Sequence, residues 1–396
     1  MKVLVYFDKN ELSPTGGPPG YLYNVYNKIV EEKIKNIDFL DSKSKRFKKI
    51  IKNIYKKAPK FIQEKYKHNR TKNYGELFYN RIFGNVKRES NIDFNKYDII
   101  HFHSTCSLYM VQDSLKDYKG IVLLTSHSPK AAHLEIIDNI PVEEYSNNKS
   151  KYDSLENMDE FAFNRANYIM FPTVEAEECY YNTWKKYKKI HKDNEKKYIY
   201  LPTCINPVKI YESKEDIRAK YNIPSEAFVI SFVGRHNEVK GYKSLKGIGK
   251  KVLKTYPNVY FLIGGKEEPL TGLNNKRWIE VGWTNKPHDL INASDLFILP
   301  NQETYFDLIL LEVLSVGKTA LITNTGGNKY FKKFKKSGIY FYEYNDIENA
   351  CKIIGNIMES NLKNTDLLNK KIYEENFTMS SYIDGYEKLL EKIYKK

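Results

Sequence analysis

Two doubly wound α/β domains are what this sequence predicts, and three observations carry that expectation. The chain has 396 residues, enough for two domains that each bury a core. Short Val/Ile/Leu-rich runs alternate with helix-length stretches from end to end, which is how parallel strands covered on both faces look in sequence. Glycine-containing and charged loops follow those runs, at the strand ends where such sheets bind ligands.

Taken in order, KVLVYF from Lys2, DIIHFHS from Asp98, GIVLLTSH from Gly120, YIMFPT from Tyr168 and KYIYLPT from Lys197 read as the strands of a first domain, 1–206. FVISFVG, VYFLIGG, WIEVGW, LFILP, TALITNT and IYFYE supply a second, 207–378, with the switch near Ile205 to Glu212. In residues 379–396, Tyr382, Ile383, Tyr386, Leu389, Leu390 and Ile393 fall at helical spacing. They predict a closing helix, whose candidate packing partner is the first domain.

One stretch departs from this pattern. Between Lys43 and Lys72 thirteen Lys or Arg face a single acid, Glu64, while Phe47, Ile50, Ile51, Ile54, Tyr55 and Ala58 recur at helical intervals until Pro59. A basic face with an apolar stripe suits the headgroup layer of an anionic membrane. The same stripe is equally what packing on the protein's own sheet requires.

The whole chain carries 64 basic and 49 acidic residues, a net charge of +15, which favours phosphates, nucleic acid or anionic membranes without choosing among them. Four scattered cysteines, with no Cys-x-x-Cys and no zinc-ligand spacing, suggest neither a disulfide framework nor a structural metal. The N-terminal run lacks a signal-peptide h-region and no apolar stretch is bilayer-length. The expected location is cytoplasmic, at most peripheral on the inner face of the cell membrane.

The candidate chemistry lies at the strand ends. Gly16 and Gly17, in ELSPTGGPPGYLYN, leave room for a phosphate against the backbone, although a plain turn reads the same way. His127 ends the strand in TSHSP, and His101 and His103 share one side of another strand by period two. A lone strand-end histidine is more often structural than catalytic, but its place improves the odds. GRHNEVKG sets Arg235 and Lys240 on either side of a short loop, a fork and a point charge suited to a diphosphate. In LFILPNQETYFDLILLEVLSVGK, Glu303 lies in a loop and Glu312 on an apolar helix, where a carboxylate is costly unless it bonds to something such as sugar hydroxyls. The amides near Phe306, Asp307 and Leu308 open that helix and could receive phosphate oxygens.

The early Gly-Gly loop, TSHSP, GRHNEVKG, VGW and ETYFDLILLEVLSVGK together resemble the retaining glycosyltransferases of family 4, which have the GT-B fold: two Rossmann-like domains facing each other across a cleft. The resemblance spans nearly the whole chain and is strongest in the second half. It implies that Arg235 and Lys240 bind the diphosphate of a nucleotide sugar, that Gly16 and Gly17 close on the phosphates, and that Glu312 holds the ribose. It further implies that Glu303 and His127 contact the donor sugar, with Gly282 and Trp283 beside the base and His103 on the acceptor side.

Two departures bear on the donor. Eight residues separate Glu303 from Glu312 where the family usually has seven, so that Thr304 takes the first glutamate's place when the motif is anchored on FDLILLE. Asp307 also stands where glycine is common. The implied reaction is a front-face displacement in which the leaving diphosphate accepts the acceptor's proton. The chain has no Asp-x-Asp, and no cofactor or metal is required to explain stabilisation of the leaving group. A glycan or polyprenyl-linked acceptor of bacterial surface polysaccharide assembly would fit the basic stretch. Two alternatives stand beside this: a nucleotide-sugar epimerase on the same architecture, and a basic RNA- or membrane-binding protein, although RNA binding leaves the strand-end loops unexplained and no nucleic acid partner is expected.

Overall fold

The computed structural model describes residues 1–7, 12, 17–40, 74–84, 92–360 and 362–396. Two compact units divide the chain. The first comprises Met1–Phe171, Tyr180–Leu201 and Ile383–Lys396, and the second Pro172–Cys179 and Pro202–Tyr382.

The first unit is built on a six-stranded sheet, order β2-β1-β3-β4-β5-β6. Its strands are β1 (Val3–Tyr6), β2 (Ile37–Phe39), β3 (Ile99–Phe102), β4 (Ile121–Thr125), β5 (Tyr168–Phe171) and β6 (Tyr198–Tyr200), all pairing parallel. Ile99, Ile100, Phe102, Val122, Leu123, Leu124 and Ile169 are wholly buried, which is why these runs carry no alternation. The short edge strand β2 escapes a reading by apolar runs because Asp38 sits at its centre. Gly17 opens the helix Gly17–Glu31 after β1. Gly16 and the basic stretch 43–72 lie outside the described residues.

The second unit has the order β12-β11-β10-β7-β8-β9, with β7 (Phe228–Val233), β8 (Val259–Gly264), β9 (Trp278–Gly282), β10 (Leu296–Leu299), β11 (Thr319–Thr323) and β12 (Ile339–Tyr342). These strands too are parallel. The chain winds outward from β7 to β9 and then returns to lay β10 on the other side of β7. The switch point is therefore between β7 and β10, and the loops leaving those two strands meet there.

Packing fixes both loops. The helix Tyr242–Thr255 follows the β7 loop and buries Leu245, Ile248 and Val252 with Ile230, Phe232, Phe261 and Ile298 of the sheet, each such side chain contributing about 1.5–3 kcal/mol. At its start Gly241 has φ +67°, and a Cβ there would lie 1.7 Å from the Pro300 carbonyl oxygen. Only glycine lets the chain leaving β10 pass so close to that turn. The helix Leu308–Val316 follows the β10 loop and ends at Gly317 in the left-handed conformation.

Sequence alone places the first domain unbroken over 1–206; the structure differs. Pro172–Cys179 belongs to the second unit, where the Glu178 carboxylate accepts the Gly326 N–H at 3.1 Å and pairs with Lys329. The closing helix Met379–Tyr394 begins in the second unit and belongs to the first from Ile383 onward. Its stripe of Tyr382, Ile383, Tyr386, Leu390 and Ile393 is buried, and the Tyr386 hydroxyl bonds His101 Nδ1 at 2.7 Å. Among the described residues no helix is long and apolar enough to cross a membrane.

Candidate active site

In the second unit the β7 loop is tightly self-bonded. Gly234 N–H donates to Gly264 O, Lys240 N–H to Asn237 Oδ1 at 3.0 Å, and Gly241 N–H to Glu238 O at 2.8 Å. These bonds fix the backbone from which the two cations project. Arg235 is exposed, and no ion pair among the described residues holds it. Lys240 is three-quarters buried, with its ammonium bonded to Asp307 Oδ2.

Asp307 heads the Leu308–Val316 helix, where the Ile309 N–H helps to stabilise its carboxylate. Its Oδ2 accepts from Lys240 and, at 2.7 Å, from Asn301 Nδ2. Burial opposes its ionisation, but the Lys240 ammonium and then the Asn301 amide override burial and hold the carboxyl below its ordinary range. Helix geometry leaves the first amides of Leu308–Val316 without acceptors inside the helix. Two cations and a helix start at a switch point constitute an anion-receiving site.

Glu312, one turn further, bonds His288 Nε2 at 3.0 Å and is about a quarter exposed. The cost of a carboxylate on this apolar helix is thus met by a histidine, which no local motif singles out. Gly282 ends β9 with φ +75°, and Trp283 beside it is 77% exposed, an aromatic face free to stack on a base. Glu303 is half-buried, whereas Thr304 is 4% exposed. Phe306 is buried against Phe331, rings 5.6 Å apart, so its side chain serves the core and only its backbone is left for a ligand.

Three further features were missed. Gly326 and Gly327 lie against the 301–306 loop: a Cβ at Gly326 would stand 2.0 Å from Thr304 O and one at Gly327 2.1 Å from Tyr305 O. Only their Gly-Gly spelling in TNTGGNKYF could have pointed to this. Asn301 is a ligand of the Asp307 carboxylate. His236, inside the cation loop, is wholly buried and stacks on Tyr242 at 3.9 Å; burial lowers its pKa.

The first unit gathers histidines around its own switch point between β1 and β3. His103 Nδ1 and His127 Nε2 are 2.7 Å apart, and Tyr21 of the helix after β1 packs on His127 with centroids 5.1 Å apart. His101, by contrast, is held in the core by Thr125 Oγ1 and the Tyr386 hydroxyl, both at 2.7 Å. Burial pushes both His101 and His103 well below the ordinary imidazole range, and the neighbouring histidines add to it. A cavity of about 200 Å³ opens here, with His103, Ser126 and His127 on a polar wall and Phe78, Ile82 and Ile136 on an apolar one. Among the described residues no group of three or more His, Cys, Asp or Glu could hold a metal ion.

Residues 213–375, the span that carries the β7 and β10 loops, match the family of glycosyl transferases group 1. The second unit is a glycosyl transferases group 1 domain. Two curated relatives are similar to this chain. One is the UDP-Gal:alpha-D-GlcNAc-diphosphoundecaprenol alpha-1,3-galactosyltransferase of Escherichia coli, 26% identical over 164 residues, 38% of this chain and 42% of that protein. The other is the lipopolysaccharide core biosynthesis glycosyltransferase LpsE of Rhizobium meliloti (strain 1021), 24% identical over 183 residues, 44% of this chain and 52% of that protein. The chain thus matches about half the length of each.

Solved structures extend the likeness to the fold of the whole chain. Sucrose-phosphate synthase from Thermosynechococcus elongatus has a TM-score of 0.63 at 13% identity, covering 99% of this chain and 98% of that one. Anabaena Alr3699/HepE in complex with UDP and glucose has a TM-score of 0.57 at 12% identity, with 99% of each chain covered. The group 1 domain and the unit preceding it together have the GT-B fold.

Proposed function

We propose that the protein is a retaining glycosyltransferase that moves a sugar from a nucleoside-diphosphate sugar to a glycan or lipid-linked acceptor in bacterial surface polysaccharide assembly. The observation that carries this reading is the meeting of Lys240 with the start of the Leu308–Val316 helix at the switch point of the group 1 domain, with Arg235 exposed on the same β7 loop. The activities of the two relatives, a galactosyltransferase on a diphosphoundecaprenol substrate and a lipopolysaccharide core enzyme, support the donor class and the acceptor class. The basic stretch 43–72 runs in sequence straight toward the helix Tyr74–Phe83, whose Phe78 and Ile82 line the first unit's cavity. That continuity favours a lipid-linked acceptor taken from an anionic surface.

In this mechanism the bond from the sugar's anomeric carbon to the diphosphate oxygen breaks as the bond to the acceptor oxygen forms on the same face. The acceptor's proton passes to the departing phosphate oxygen. Arg235, Lys240 and the helix amides stabilise the charge that develops there. Glu312 holds the ribose, Glu303 or Thr304 and His127 hold the sugar, Trp283 lies by the base, and His103 faces the acceptor. No metal is needed in this scheme.

A calorimetric panel of nucleoside diphosphates tests it. One of them should bind, and Arg235→Ala should weaken it at least tenfold, the loss of one charge-assisted contact. Unchanged affinity in that variant would remove the diphosphate assignment.

A further inference from the structure

Lys240, the cation assigned above to the donor's diphosphate, already holds an anion from its own chain. The ammonium bonds Asp307 Oδ2, and the same oxygen accepts Asn301 Nδ2 at 2.7 Å. Asp307 side-chain exposure is 12% and that of Lys240 is 23%, so the pair is poorly screened by water. The carboxylate is also stabilised by the Ile309 N–H at the start of the helix it heads, but its stronger partner is the cation. Its partner Asn301 is itself fixed, 1% exposed and with its carbonyl accepting the Thr323 hydroxyl at 2.7 Å. The position is the one where the family resemblance leads to expect glycine, a residue with no charge to offer.

We infer that Asp307 is a resident competitor of the donor's phosphates, a carboxylate that occupies Lys240 when the site is empty and that a diphosphate must displace or share in order to bind. The inference rests on the donor-site assignment proposed above. A phosphate drawn to Lys240 and to the helix start meets a fixed negative charge there. The repulsion grows with the ligand's charge. A nucleoside diphosphate carries more negative charge at its terminal phosphate than the sugar-capped donor, so the carboxylate disfavours the product more than the substrate. Asp307 then acts as a specificity residue that lowers affinity for the spent nucleotide and re-pairs with Lys240 as it leaves.

The test is titration of the full-length protein with inorganic pyrophosphate and with UDP, GDP and ADP, with and without Mg²⁺. Asp307→Asn keeps the side chain's size and an equally good helix cap, and Asp307→Gly serves as a second variant whose folding does not depend on the new amide. Both should bind these anions at least tenfold more tightly than the unaltered protein, a gain of about 1.4 kcal/mol. Adding Lys240→Ala to Asp307→Asn should erase the gain. Equal or weaker binding by both single variants, with the unaltered protein binding normally, would overturn the role of Asp307. So would a Mg²⁺-dependent affinity that both variants lose, because the carboxylate would then be a metal ligand. No binding of any anion by any of these proteins would instead overturn the donor-site assignment beneath it.

Discussion

Gly326→Ala should disable turnover while leaving nucleotide binding nearly intact. A Cβ at this position would sit 2.0 Å from the Thr304 carbonyl oxygen, whereas carbon and carbonyl oxygen approach to roughly 3.3 Å. The 301–306 loop or the Gly326 turn must therefore move by roughly 1.3 Å. Gly326 also has φ +42°, a left-handed conformation that costs a residue with a Cβ about 1–2 kcal/mol. Movement strains the Gly327 N–H to Thr304 O bond, the Gly326 N–H to Glu178 bond and the Thr325 hydroxyl to Gln302 O bond, each 3.1 Å long. With about 1 kcal/mol for a compromised bond, the sum is roughly 3 kcal/mol, or roughly 6–12 °C in Tm for a unit of this size. A displacement of about 1 Å in a residue holding the sugar lowers kcat by roughly 100-fold. Diphosphate affinity should change far less than turnover, since the clash falls on Thr304 O and not on Lys240 or its partners Asp307 and Asn301. Calorimetry, differential scanning and steady-state kinetics give the three quantities. Wild-type turnover in a stably folded Gly326→Ala protein would refute the claim that this approach sets the register of the loop proposed to hold the sugar.

Two other predictions concern the same site and the histidine cluster. Glu303→Ala should reduce turnover by roughly 100-fold, and Thr304→Ala should mainly lower Tm because Thr304 is buried; the reverse pattern in kinetics would assign the sugar contact to Thr304. His101 and His103 are held neutral by burial, so below about pH 6.5 the unfolded chain binds protons that the folded one refuses. Stability should therefore be fully present above that pH and fall on acidification by up to about 1.4 kcal/mol per pH unit for each histidine. A thermal scan from pH 7.5 to 5 reads this slope, and His101→Asn should flatten it; an unaltered slope in that variant would place the proton uptake elsewhere.

The strands were legible because strands buried on both faces need continuous apolar runs, and eleven of the twelve appear as such runs. β2 does not, since a three-residue edge strand with a central Asp38 has too little apolar surface to announce itself. Arg235, Lys240 and Glu312 were legible as charges placed where a sheet of this kind offers ligand sites. Asp307 was legible too, but the pairings were not: Lys240 meets Asp307 across 67 residues and Glu312 meets His288 across 24, and no local pattern encodes such a meeting. The Pro172–Cys179 excursion was hidden for the same reason, since Glu178 finds Gly326 across 148 residues. Of the two strand histidines, period two predicted a shared face, but only packing separates His101, consumed by Tyr386, from His103 at the cavity wall.

The way the last helix closes the first unit has a bearing on how the protein is made. Tyr386 completes the environment of His101 from 285 residues away, and the segment that carries it, Ile383–Lys396, follows the whole of the second unit in the chain. Synthesis from the N-terminus must therefore deliver the whole of the second unit before β3 can acquire its hydrogen-bond partner. The same segment buries Ile383, Leu390 and Ile393, so the apolar surface they cover waits on it as well. A truncation after Tyr382 would spare the second unit and take from the first the hydroxyl that partners His101.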